Sequence, residues 1–164
     1  MKRIWAPWRM SYICDAKNAC CFICDICKSR DDRAHLVIKK GKTCLMLMNR
    51  YPYNGGHLMV APKRHAATLQ EMTSRERLEL MDMTTLATRL LDKVAHPEGY
   101  NIGINLGKAA GAGLKDHVHI HIVPRWNGDT NFMPVFADVK IIPQALEELR
   151  DQLCVALKEI NGRS

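Results

Sequence analysis

The stretch His117-Val118-His119-Ile120-His121-Ile122-Val123-Pro124-Arg125 decides how this chain is read. In an extended strand side chains alternate between faces, so positions i, i+2 and i+4 share one of them. His117, His119 and His121 then project together, while Val118, Ile120 and Ile122 enter a core on the other side. A strand gives up core-quality positions to a polar row only when that row has a use. Imidazole titrates nearest neutral pH and serves as nucleophile, general acid or base, or metal ligand. A metal-only site is one reading of the row. Catalytic zinc sites, however, usually add a carboxylate or a distant third ligand.

Immediately upstream, Asn105-Leu106-Gly107-Lys108-Ala109-Ala110-Gly111-Ala112-Gly113-Leu114-Lys115-Asp116 forms a glycine-rich, basic segment. Without a Cβ in the way, backbone N–H groups in such a loop can approach phosphate oxygens closely. Alone, a glycine-rich loop is weak evidence. Delivered straight into a row of imidazoles, it points to attack on phosphorus.

At this point the chain resembles the histidine triad (HIT) nucleotide hydrolases and transferases, whose signature His-φ-His-φ-His-φ-φ (φ apolar) residues 117–123 match throughout. The resemblance covers roughly residues 20–135. Asn49-Arg50-Tyr51-Pro52-Tyr53-Asn54-Gly55-Gly56-His57-Leu58-Met59-Val60-Ala61-Pro62-Lys63-Arg64-His65 looks like the family's ribose-binding strand pair. Ile4-Trp5-Ala6-Pro7-Trp8-Arg9 and Pro124-Arg125-Trp126-Asn127-Gly128-Asp129-Thr130-Asn131-Phe132-Met133-Pro134 resemble the prokaryotic, diadenosine tetraphosphate phosphorylase-like branch.

Length and composition suit one compact enzyme. With 164 residues the chain can bury a proper core. We expect a single domain over 1–164, with a core at 20–135 and the N-terminal segment and C-terminal helix as extensions. No apolar run approaches the ~20 residues needed to span a bilayer. Lys2 and Arg3 are followed by tryptophans and a proline rather than an apolar region, unlike a secretory signal. The expectation is therefore a cytoplasmic protein with no membrane partner. The formal charge of +7 comes from scattered basic residues, without a zinc-finger, basic-zipper or helix-turn-helix pattern. A positive field that concentrates a polyphosphate substrate accounts for it better than specific nucleic-acid binding.

The seven cysteines are an odd number, so they cannot all pair within the chain. Cys20, Cys21, Cys24 and Cys27 include two overlapping C-x-x-C steps, each half of a zinc site. The resemblance implies the other half. In zinc-carrying HIT proteins the C-x-x-C, the histidine ending Pro62-Lys63-Arg64-His65 and the first triad histidine bind together, here Cys21, Cys24, His65 and His117. That is a closed, structural zinc set; no organic cofactor is expected. The alternative is a group of reduced loop thiols. Cys27 falls where no ligand is expected, and Cys14, Cys44 and Cys154 read as ordinary thiols.

Local patterns place these pieces. His35–Lys39 and Cys44–Met48, divided by Gly41, suggest a hairpin, and Leu58–Ala61 a third strand after the Asn54-Gly55-Gly56 turn. Thr73-Ser74-Arg75-Glu76 reads as a capping box opening a long helix with Leu80, Met83, Ala87, Leu90 and Val94 on one face. His96-Pro97-Glu98-Gly99 ends it. Tyr100–Leu106 and His117–Val123 are the next strands. Pro143 opens a last helix carrying Leu146, Leu149, Leu153, Leu157 and Ile160. The order implies an α+β fold with a largely antiparallel sheet, one long helix and a C-terminal helix. The HIT-like resemblance adds a homodimer with a continuous central sheet.

It also implies roles. His119 is the expected nucleophile, forming a nucleotidyl-histidine intermediate, and His117 and His121 hold its ring and stabilise charge on the α-phosphate. Asn105, Gly111 and Gly113 would bind phosphate oxygens, Asn49 the ribose, and His57 would be a supporting residue. Many relatives carry a polar leaving-group donor where this chain has Gly111-Ala112-Gly113-Leu114. Lys115 could instead neutralise a polyphosphate leaving group. The expected substrate is a purine nucleotide or dinucleoside polyphosphate such as diadenosine tetraphosphate, with water or phosphate as acceptor. The alternatives are a nucleoside phosphoramidate or adenylyl-conjugate hydrolase and a nucleotide-binding zinc module with little turnover.

Overall fold

A computed structural model describes residues 21–110, 117–129 and 144–162. Within them lie a short helix α1 (Phe22–Lys28), strands β1 (Val37–Lys40), β2 (Cys44–Met48) and β3 (Leu58–Pro62), and a long helix α2 (Ser74–Val94). Strand β4 (Gly99–Ile104), a 3₁₀ turn (Lys108–Ala110), strand β5 (Ile120–Arg125) and helix α3 (Leu146–Asn161) follow. The strands form one sheet in the order β1-β2-β3-β5-β4, antiparallel at every step. This is the α+β architecture expected.

Two-residue alternation divides the sheet into two faces with different fates. Cys44, Met46 and Met48 of β2, Leu58 and Val60 of β3, and Ile120 and Ile122 of β5 join Leu80, Met83, Ala87 and Leu90 of α2 and Leu149 and Leu153 of α3 in the main core. Leu45, Leu47, Met59 and Ala61, from the opposite face, pack with Ile23 and Ile26 of α1 in a second cluster. That is why β2 and β3 are apolar throughout: both sides are covered. Because Met59 pairs with His121, the histidine face is the α1 side.

The capping box forms as expected. Thr73 accepts from the Glu76 N–H at 3.2 Å, and the Glu76 carboxylate accepts from the Thr73 N–H at 2.7 Å. Arg64 places its fork on the same carboxylate at 2.8 and 2.9 Å. Together with the cap, this holds Glu76 at about 2, far below the usual carboxylate range. Arg64 is thus anchored to α2, and its neighbour His65 with it.

Residues 22–28 form a helix where no element was expected. Three boundaries also differ from expectation. The triad strand begins at Ile120 and runs to Arg125 rather than spanning 117–123. Ahead of Ile120 the ladder is interrupted, because the Val118 N–H turns to the Ala66 carbonyl at 2.7 Å and the Pro62 carbonyl is taken by the His117 ring at 2.8 Å. Strand β4 likewise ends at Ile104, short of Leu106. The last helix begins at Leu146, with Ala145 as its cap; Pro143 lies outside the described residues.

Candidate active site and metal centre

Helix α1 sets up the first half of the site. Ile23 and Ile26 are buried in the second core cluster, which fixes the helix's rotation. Cys21, its N-cap, and Cys24 lie three residues apart and therefore share a face. That face meets the triad segment. Cys21 Sγ lies 3.1 Å from His117 Nδ1, Cys24 Sγ lies 3.7 Å from the same nitrogen, and Cys24 Sγ lies 3.4 Å from His65 Nδ1. All four donor atoms fall within 4.8 Å of one another. Tetrahedral zinc with bonds of ~2.3 Å to sulfur and ~2.0 Å to nitrogen needs ligand atoms roughly 3.3–3.8 Å apart. The donor set fits.

The proton positions fit too. The His117 Nε2 has a carbonyl, that of Pro62, as its partner at 2.8 Å, so this nitrogen carries the proton and Nδ1 presents its lone pair to the thiols. A carbonyl behind a histidine ligand is the usual way of fixing the metal-binding tautomer. Burial and the adjacent Cys21 thiol push Cys24 up to about 11. A bound cation reverses that by stabilising thiolate.

The second half is a relay of rings. His119 Nδ1 lies 2.9 Å from the His117 carbonyl. The proton therefore sits on Nδ1, leaving the lone pair on Nε2. Burial, partly offset by that hydrogen bond, lowers the His119 pKa, so the ring is neutral at pH 7. Its neighbour His121 stands edge-on, ring centroids 4.6 Å apart. Behind His121, its Nδ1 meets His57 Nε2 at 2.9 Å.

The direction of this bond follows from the other side of His57. The Tyr53 backbone N–H points at His57 Nδ1 from 3.1 Å. The Asn49 amide nitrogen is 3.3 Å from the same atom, its oxygen already accepting from the Tyr51 N–H at 2.9 Å. With donors on Nδ1, the His57 proton must be on Nε2, donated to His121 Nδ1. His121 is then left with its own proton on Nε2. Burial, reinforced by the neighbouring rings, drives His57 down to about 3 and His121 to about 4. The Tyr53 ring, exposed, stacks on His57 at 4.8 Å.

Among the described residues, a row of neutral imidazoles therefore offers one ring with a free lone pair, His119, beside one with a free N–H, His121. A lone pair and an N–H donor stand side by side. Across the sheet Gly103 of β4 pairs with His121, and a Cβ there would meet nothing within 4 Å. Among the described residues this part of the face is left open, since α1 covers only β1, β2 and β3. Asn105 follows β4 two residues past Gly103, at the same end of the sheet. Gly111, Gly113 and Lys115 lie outside the described residues.

A model of the HIT domain matches residues 30–128. The chain belongs to the HIT family. Across 159 residues it is 40% identical to an AP-4-A phosphorylase of Mycobacterium tuberculosis, spanning 92% of this chain and 81% of that protein. It is 26% identical over 138 residues to the adenosine 5'-monophosphoramidase hnt1 of Schizosaccharomyces pombe, 84% of this chain and 98% of that one. Among solved structures, a zinc-bound histidine triad family protein from Mycobacterium smegmatis superposes with a TM-score of 0.71 at 27% identity, covering 88% of this chain and 97% of that one.

In this HIT chain the four expected metal ligands come together, as do the three triad histidines. Two residues beside the triad have partners within the chain. Asn49, expected at the ribose, directs its amide at His57 and its own loop. His57 is bonded directly to a triad ring and controls its proton. The signal for that was the Gly56-His57 pair opening a wholly apolar strand, where a fully buried imidazole needs a partner.

Proposed function

We propose that this HIT protein cleaves dinucleoside polyphosphates of the diadenosine tetraphosphate type by nucleotidyl transfer through His119. The observation that carries the reading is the neutral His119 ring with its lone pair on Nε2, flanked by His121 with a proton on Nε2. The His119 lone pair forms the P–N bond to the α-phosphorus. The bridging P–O bond breaks, and the departing polyphosphate oxygen takes its electron pair and the His121 proton. In the second step the acceptor, phosphate or water, attacks the same phosphorus and returns a proton to His121 as the P–N bond breaks. The identity to the AP-4-A phosphorylase supports phosphate as the acceptor.

In this reading Asn105, Gly111 and Gly113 bind the phosphates, Lys115 the leaving polyphosphate, and Asn49 the ribose. A zinc ion bound by Cys21, Cys24, His65 and His117 is structural and leaves no open position for substrate. Residues 1–164 make one domain. Among the described residues strand β4 is an edge of the sheet, with Ile102 49% exposed, and Met81 of α2 is exposed too. A second copy pairing along β4 would cover them, which supports a homodimer. The reduced thiols a zinc set needs fit a cytoplasmic location.

Diadenosine tetraphosphate incubated with and without inorganic phosphate, with products separated by chromatography, tests the activity. ADP formed only with phosphate marks a phosphorylase, and AMP with ATP in its absence marks a hydrolase. The likeness to hnt1 favours a second reading, cleavage of nucleoside phosphoramidates. Turnover of adenosine 5'-monophosphoramidate but not of the tetraphosphate would establish it. No product from either leaves a nucleotide-binding module.

A further inference from the structure

The loop joining β2 to β3 supplies the Tyr53 N–H that places the His57 proton, yet it contains two glycines and no regular structure. Gly56 adopts φ +76°, a conformation that L side chains rarely take. What steadies this loop is Asn54, only 6% exposed. Its amide nitrogen donates both to the Pro124 carbonyl at 3.0 Å and to the Asp129 carboxylate at 2.9 Å, partners 70 and 75 residues away.

Asp129 is held as firmly. Its side chain is 6% exposed, and a carboxylate so buried needs a partner. Arg125 provides one with a fork at 2.6 and 3.0 Å. The same guanidinium reaches Asn101 of β4 at 2.9 Å. A turn closed by the Asp129 N–H on the Trp126 carbonyl, with Gly128 at φ +75°, brings the carboxylate back over Arg125. A continuous chain of contacts thus runs from Arg125 through Asp129, Asn54 and the Tyr53 peptide to His57 and His121.

We infer that Asp129 is a positioning residue for the reaction read above: through Asn54 it keeps the Tyr53 N–H on His57, and so keeps the His121 proton on the nitrogen that serves the leaving group. The inference rests on that reading for its kinetic consequence. Its structural half, the His57 tautomer, stands without it. Asp129 acts through Asn54 and the loop rather than on the substrate.

Asp129→Ala removes one of the two acceptors of Asn54 and leaves only the Pro124 carbonyl. Asp129→Asn can retain an oxygen for Asn54 but sets an NH₂ donor against the Arg125 fork and abolishes the ion pair. Misplacement of a catalytic group by about 1 Å costs up to roughly 100-fold. With diadenosine tetraphosphate as substrate, Asp129→Ala and Asn54→Ala are expected to lower kcat at least tenfold with KM changed less than threefold. Asp129→Asn should keep kcat within threefold of the parent although its Tm falls. Leu153→Ala, a core change in α3, supplies a variant of matched Tm with unaltered kcat.

¹⁵N-histidine spectra give the second readout. His57, assigned by its loss in His57→Gln, should be an Nε2–H tautomer in the parent and in Asp129→Asn, and mixed in the two alanine variants. The proposal is overturned if kcat follows Tm across all these variants, or if the alanine variants keep the parent His57 tautomer. Should Asp129→Ala fail to fold, Asn54→Ala and Asp129→Asn decide. A parent that cleaves no dinucleoside polyphosphate defeats the functional reading, while the tautomer spectra still judge the positioning.

Discussion

His57 Nε2 stands 2.9 Å from His121 Nδ1, and the Tyr53 N–H on the far side of the His57 ring fixes which atom of that pair carries the proton. The outermost triad ring therefore depends on a residue 64 positions earlier. His57→Leu, which removes the donor but keeps an apolar filling, should lower kcat by about 10²-fold, the lower end for a lost general acid. Steady-state kinetics on diadenosine tetraphosphate check this. A kcat near that of the parent would show His121 sets its own tautomer.

His119→Ala should abolish turnover and leave nucleotide affinity within a few-fold, because the ring does chemistry while the loop binds. Binding is read by calorimetry with a non-hydrolysable nucleotide. More than a few per cent residual activity would argue against a covalent intermediate.

The pH dependence of stability carries a definite sign. His57 and His121 are driven from an ordinary 6.5 to about 3 and about 4, so the unfolded chain binds protons that the folded one refuses. Stability is therefore fully present above about pH 6.5 and falls as the pH drops toward 4. His57→Gln, which cannot titrate, should make that slope shallower. Urea denaturation at a series of pH values tests it, and an unchanged slope would place the acid sensitivity elsewhere.

Metal analysis of protein purified without added metal or chelator should find about one zinc per chain. Cys21→Ser/Cys24→Ser should lose it, with Tm falling by roughly 5–10 °C for a few kcal/mol of lost stability. Retained zinc in the double variant would refute the ligand set.

Ile102→Lys, on the exposed edge strand, should convert a dimer to a monomer, since a lysine on a sheet edge opposes pairing with another. Analytical ultracentrifugation decides. A parent that is already monomeric at micromolar concentration removes the dimer from the proposal.

What was legible in the amino-acid sequence was what neighbours in the chain dictate. Thr73 and Glu76 announce their helix start because the cap needs only a four-residue span, and short unbroken apolar runs announce β2 and β3. Helix α1 was not legible: its seven residues contribute only Ile23 and Ile26 to a core, too few to define a period. The early end of the β5 ladder was hidden as well, because it turns on Ala66 and Pro62 meeting Val118 and His117. The metal set came from family resemblance, and distance in sequence kept His65 from being paired with Cys24 by spacing alone. The part played by His57 depends on a backbone N–H, which no residue identity encodes.

The acceptor that orients His119 is the carbonyl of His117, a main-chain atom rather than a side chain. No amino-acid replacement at position 117 deletes that oxygen; it can only be moved. His117→Asn would strip one ligand from the metal set and still offer the nucleophile its partner. Mutational scans of side chains will thus under-report what holds His119, and a lesion there should register as a geometric drift of the segment 117–119 rather than as a missing group.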